Sequence, residues 1–77
     1  MRNFVADREA METLNVLQTL KRRRESLEIT QPQLAEMAGV GLRTLKALES
    51  GKSNPTLATI TRLADVLGLT LELVVKR

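Results

Sequence analysis

Apolar residues recur every three or four positions through most of the chain and every second position at its end. From about Ala10 to Ser26 the stripe runs through Met11, Leu14, Leu17 and Leu20, and Arg24 carries it one turn further. Polar residues before Ala10 fray or extend this helix. Thr30-Gln31-Pro32-Gln33 opens a second helix, because Thr30 can accept from the Gln33 amide, Gln33 can reach back, and Pro32 suits a first turn. Leu34, Ala35 and Ala38 form its inward face, and Gly39 stops it in a left-handed cap. A third helix runs from about Leu42 to Ser50, with Leu45 and Leu48 inward. Thr56 caps a fourth, with Leu57, Ile60, Ala64 and Leu67 on one side and Gly68 at its end. Leu69, Leu71, Leu73 and Val75 then alternate with Thr70, Glu72, Val74 and Lys76, a strand pattern with no second strand to pair with. A lone strand with a bare edge invites a second copy of itself.

These elements predict an all-α domain of four to five helices with a short C-terminal strand that pairs across a dimer. The expected organisation is an N-terminal extension over 1–9, a helical domain over 10–68 and a dimerisation strand over 69–77, with Leu69, Leu71, Leu73 and Val75 as interface residues. Seventy-seven residues make one small domain with a modest core. The chain has no cysteine and no histidine, which removes disulfides, thiolate metal sites, the commonest general base and the commonest zinc ligand. With no phosphate-cradling glycine loop either, no catalytic constellation can be assembled, and the expectation is a non-enzyme without metal or cofactor. Phe4 is the one aromatic residue, so base-stacking platforms for single strands are absent. The net charge of +3 favours a polyanionic partner. No apolar run reaches the length of a membrane span and the N-terminus lacks a signal-peptide pattern, so the expected location is the cytoplasm.

The stretch from Gln31 to Ser50 carries the constraints of two short helices crossing steeply. Ala35 is small enough for the contact, Gly39 supplies the left-handed turn, and Leu34, Val40, Leu45 and Leu48 anchor the crossing from beneath. The outward face of the third helix is then Leu42, Arg43, Lys46 and Ala47, the face that a major groove would receive. The run Thr30-Gln31-Pro32-Gln33-Leu34-Ala35-Glu36-Met37-Ala38-Gly39-Val40 resembles the opening signature of the Cro/phage-repressor (XRE) helix-turn-helix family. Leu45 to Lys52, Asn54-Pro55-Thr56-Leu57 and Leu63 to Gly68 are similar to the segments that follow it. The resemblance implies a lambda-repressor-like fold and sequence-specific binding to double-stranded DNA at an inverted-repeat operator by a homodimer. The short Leu-rich strand after the minimal domain is similar in layout to HipB-like antitoxins, which implies a HipA-like kinase toxin as a second partner. The alternatives are a stand-alone phage-type or metabolic repressor, and a protein-interaction adaptor that kept the fold. The chain departs from the family in placing Gly41, rather than a hydroxyl residue, before the third helix, and Leu42 and Arg43 at its start.

Base reading is assigned to Leu42, Arg43, Lys46 and Ala47, with Arg43 suited to guanine because a guanidinium can bond O6 and N7 together. Phosphate contact is assigned to Gln31, Gly41, Thr44, Lys52, Ser53 and Asn54. A plain solvated helix face is the competing reading for Arg43 and Lys46, and a plain polar loop for 52–54. The basic run Lys21-Arg22-Arg23 reads as solvated surface that adds long-range attraction. Arg24 and Glu49 each lie on the inward stripe of their helix, where an isolated charge is costly, so they are expected to pair with each other.

Overall fold

A computed structural model describes residues 4–76. Its regular structure is α1 (Phe4–Ser26), α2 (Gln31–Ala38), α3 (Leu42–Glu49) and α4 (Leu57–Val66). The stripes of the four helices converge. Leu17 and Leu20 of α1, Leu34, Ala35 and Ala38 of α2, Leu45 and Leu48 of α3, and Leu63, Ala64 and Leu67 in and after α4 form one buried cluster. Val16, Ile29, Val40, Ile60, Val66 and Leu69 pack around it. A fully buried leucine is worth about 1.5–3 kcal/mol over an exposed one. Burial of this set, rather than helix propensity, therefore holds segments as short as eight residues in helical form.

The connections are tight because each helix ends in a left-handed residue. Gly39 has φ 66, and the amides of Gly39 and Val40 return to the carbonyls of Glu36 and Ala35 at 3.2 and 2.9 Å. Glu28 performs the same service after α1 at φ 57, a conformation that costs a side-chain-bearing residue about 1–2 kcal/mol. Among the described residues, no helix is long and apolar enough to cross a membrane.

The helix count agrees with the lower of the expected four to five, with four among the described residues. Several other expectations need correction. Helix α1 starts at Phe4, so the region expected as an extension is helical from there on. Leu14 is half exposed at the edge of the core, and the side chain of Met11 lies outside the described residues. On α4 the inward row is Ile60, Leu63, Ala64 and Leu67, while Leu57 stands 69 % exposed in the first turn. Leu63, which the periodicity reading passed over, is among the most buried residues of the chain.

The predicted strand does not form within the single chain: residues 69–76 have no regular secondary structure. Leu69 still rests on the core, and its amide donates to the Ala64 carbonyl at 2.8 Å. Beyond it, no backbone hydrogen bond among the described residues involves 70–76. A ladder needs a neighbouring extended backbone, and among the described residues the regular elements are all helices. Arg77 lies outside the described residues.

Candidate nucleic-acid interface

Two eight-residue helices, α2 and α3, build the candidate surface. Helix α2 is closed at its start by a reciprocal pair of bonds. The Gln33 amide donates to Thr30 Oγ1 at 3.2 Å, and the Thr30 amide donates to Gln33 Oε1 at 2.8 Å. Helix α3 begins at Gly41, whose extended backbone offers no side-chain cap. It is held from its other face and end: Leu45 and Leu48 are sealed in the core, and Glu49 enters a polar cluster.

Because residues three and four apart share a helix face, burial of Leu45 and Leu48 turns Arg43, Lys46 and Ala47 outward together. Arg43 and Lys46 are exposed, Ala47 is half-buried, and Leu42 and Thr44 are exposed in the first turn. The four residues expected to read bases therefore line one side of α3. Gly41 and Thr44 adjoin it, with Thr44 Oγ1 3.7 Å from where a Cβ on Gly41 would stand. Lys52, Ser53 and Asn54 are exposed in the loop after α3. Asn54, however, lines a groove with Thr13 and Val16 of α1 and Ile60 of α4, so it sits on the α1–α4 side.

The polar cluster fixes α3 to the rest of the molecule. Arg24 donates through Nε and Nη2 to Oε2 and Oε1 of Glu49 at 2.8 and 2.9 Å. Its Nη1 donates to the Ile29 carbonyl at 2.8 Å. The pair is nearly out of water, with side-chain exposures of 11 % and 6 %. Burial pushes the Glu49 carboxyl upward, but the hydrogen bonds from Arg24 and Gln31 outweigh it and hold the group below its usual value. The same bond to Glu49 raises Arg24. A bidentate guanidinium–carboxylate pair with a further donor on a backbone carbonyl is a geometry in which a buried charge pair is tolerated.

Two side chains behave otherwise than their sequence neighbourhood indicated. Gln31, expected at phosphate, donates its Nε2 to Glu49 Oε1 at 2.9 Å and so bridges the start of α2 to the end of α3. Arg23, read as part of a solvated basic run, donates Nε to the Leu67 carbonyl at 2.8 Å and ties α1 to the end of α4. No local signal marks either bond, since the partners lie 18 and 44 positions apart. Of the four tail residues expected at a dimer interface, Leu69 is half-buried on the core, while Leu71, Leu73 and Val75 are exposed. Among the described residues, no group of three or more His, Cys, Asp or Glu is placed to hold a metal ion.

Comparison with known proteins agrees with this architecture. Residues 20–74 match the family model described as helix-turn-helix. The chain is 29 % identical over 59 residues to the cryptic phage CTXphi transcriptional repressor RstR of Vibrio cholerae, covering 77 % of this chain and 53 % of that protein. It therefore spans about half the length of that relative. An uncharacterized HTH-type transcriptional regulator of Methanothermobacter thermautotrophicus is 41 % identical over 49 residues, covering 64 % of this chain and 71 % of that one. A regulator of the same description from Haemophilus influenzae is 34 % identical over 67 residues, covering 87 % and 68 %. No solved structure gives a significant match. With the family match running from the end of α1 through α4 into the tail, the chain belongs to the XRE-type helix-turn-helix family.

Proposed function

We propose that this chain is a sequence-specific, double-stranded-DNA-binding transcriptional repressor that acts as a homodimer and has no enzymatic activity. The observation that carries the reading is the exposed row of Arg43 and Lys46 on α3, opposite the buried Leu45 and Leu48. A helix held from behind and basic in front suits the major groove. Arg43 reads guanine, Leu42 and Ala47 meet thymine methyls, and Lys46 contributes charge at the base edges. Gly41, Thr44, Lys52 and Ser53 hold phosphates, whereas Asn54 is left out of the contact set by its place on the α1–α4 side. Gln31 reaches phosphate with what its bond to Glu49 leaves free, the backbone N–H and the second amide proton. Two such helices in a dimer would enter successive major grooves about 34 Å apart, which calls for an inverted repeat. The names of the relatives, one a transcriptional repressor and two transcriptional regulators, support the same assignment.

Selection of genomic fragments by the purified protein, followed by titration of the recovered site, tests the proposal. Affinity should fall steeply with salt, and Arg43→Ala should lose about 1–3 kcal/mol and relax preference at one base pair. Failure to enrich any site, or a salt-independent affinity, would leave the adaptor reading in its place. The repressor reading holds with or without a second partner. A stoichiometric companion on purification from the native host would give the antitoxin role, and its absence the stand-alone one.

A further inference from the structure

The feature that the proposed function leaves unused is the pattern of charges on the C-terminal tail. Residues 71–76 read Leu-Glu-Leu-Val-Val-Lys, and all are exposed, Leu73 fully so at 102 %. Beside the tail lies a groove of about 450 Å³ lined by Leu57, Thr61 and Ala64 of α4 together with Leu71 and Leu73. An apolar, unbonded backbone next to an apolar groove is a surface that a second backbone would cover. A second copy related by a two-fold axis arrives antiparallel, and the possible registers can be tested one by one.

Registers with the axis between two residues place the Leu71, Leu73, Val75 row opposite the Glu72, Val74, Lys76 row and mix the two faces. An axis at Glu72 or at Lys76 sets like charges directly opposite each other, which is unfavourable. An axis at Leu71, at Leu73 or at Val75 sets Glu72 or Lys76 opposite an uncharged residue and pairs no charges. With the axis at Val74, Glu72 faces Lys76 of the second copy and Lys76 faces Glu72, so the dimer holds two such pairs and each of these charges is matched. Leu73 then faces Val75, and Val74 faces itself.

We propose that residues 71–76 pair antiparallel with the same segment of a second copy in the register centred on Val74, with the Leu71, Leu73, Val75 row turned toward the α4 groove. This rests on the homodimer reading and goes beyond it by specifying the register and the two charge pairs that select it. The self-complementary order of Glu72, Val74 and Lys76 makes the tail selective for its own sequence, because a partner tail without that order would leave a charge unmatched.

Charge exchange in the full chain provides the test. Glu72→Lys alone and Lys76→Glu alone each create two like-charge pairs and should weaken dimerisation by about tenfold in sedimentation equilibrium. The double variant E72K/K76E should return to within about threefold of the parent. Both positions are exposed in the single chain, so helical content by circular dichroism should be unchanged. Independently, Val74→Cys introduces a single thiol into a cysteine-free chain, and mild oxidation should link two copies. Leu73→Cys and Val75→Cys, which do not face themselves in this register, should link poorly. A dimer indifferent to the charge changes, or cross-linking equally well at 73, 74 and 75, would overturn the register and leave dimerisation standing. A monomer at every concentration, free and on DNA, would overturn both.

Discussion

Helices α2 and α3 have the same length and meet at one crossing, yet they are secured in opposite ways. Helix α2 is closed at its N-terminus by bonds among its own first residues, with Thr30 and Gln33 satisfying each other's amides. Helix α3 has a glycine there and no side-chain cap, and its constraint comes from Leu45, Leu48 and Glu49, all on the side away from Arg43. The start of the first helix is thus fixed by local bonds, and the start of the second is positioned by its surroundings, while the core holds both. A helix that presents a face to a partner gains from the second arrangement, because among the described residues the side chains of Arg43 and Lys46 are not committed to the bonds that anchor α3. Its orientation is set by a bidentate ion pair at the far end.

The largest expected effect follows from cutting that anchor. Glu49→Ala leaves Arg24 nearly buried without its carboxylate and frees Gln31, and should cost about 3–5 kcal/mol in urea denaturation. For a domain this small that approaches the whole stability. A loss below 1 kcal/mol would mean that packing of Leu45 and Leu48 alone positions α3. Acid should reach the same anchor more gradually. The Glu49 carboxyl titrates below its ordinary value in the folded chain, so its contribution is complete above the unfolded value of about 4.3 and disappears as the pH falls through the folded one. Thermal melts followed from pH 7 to pH 2 should show this decline in the parent and a shallower one in Glu49→Gln. Arg24, raised from an already high value, adds no dependence in that window.

Smaller effects separate the two N-termini. Thr30→Ala removes one half of the reciprocal cap and should destabilise by about 1 kcal/mol, measured by chemical denaturation. Gly41→Ser at the corresponding position of α3 should stabilise by only a few tenths of a kcal/mol. Its backbone is already extended at φ -61, and the nearest atom to the new Cβ would be Thr44 Oγ1 at 3.7 Å. If Gly41→Ser were to gain as much as Thr30→Ala loses, α3 would depend on its cap as α2 does, and the contrast would fail.

Legibility followed the same division. The box at Thr30, the stop at Gly39, the cap at Thr56 and the inward leucines of α2 and α3 were all readable, because each depends on residues within about one or two helical turns. Pairing of Arg24 with Glu49 could be anticipated from two charges on inward stripes, though not its bidentate geometry. On α4 the periodicity placed Ile60, Ala64 and Leu67 correctly, put Leu57 inward where it is exposed, and passed over Leu63. Leu57 and Leu63 both fit an apolar row, and only the direction from which α2 packs on the helix selects Leu63. The outward row of α3 was readable because two buried leucines leave one direction for Arg43 and Lys46.

From the chain alone come the four helices, the caps of α2 and α4, the stop at Gly39, and which side of α3 faces out, since these follow from backbone hydrogen bonding and side-chain spacing over a few residues. Packing in three dimensions was needed to show that Gln31 grips Glu49, that Arg23 holds the end of α4, and that residues 70–76 find no backbone to pair with inside the fold. Those contacts depend on where helices cross, and the crossing is set by the summed shape of the core rather than by any local run of residues.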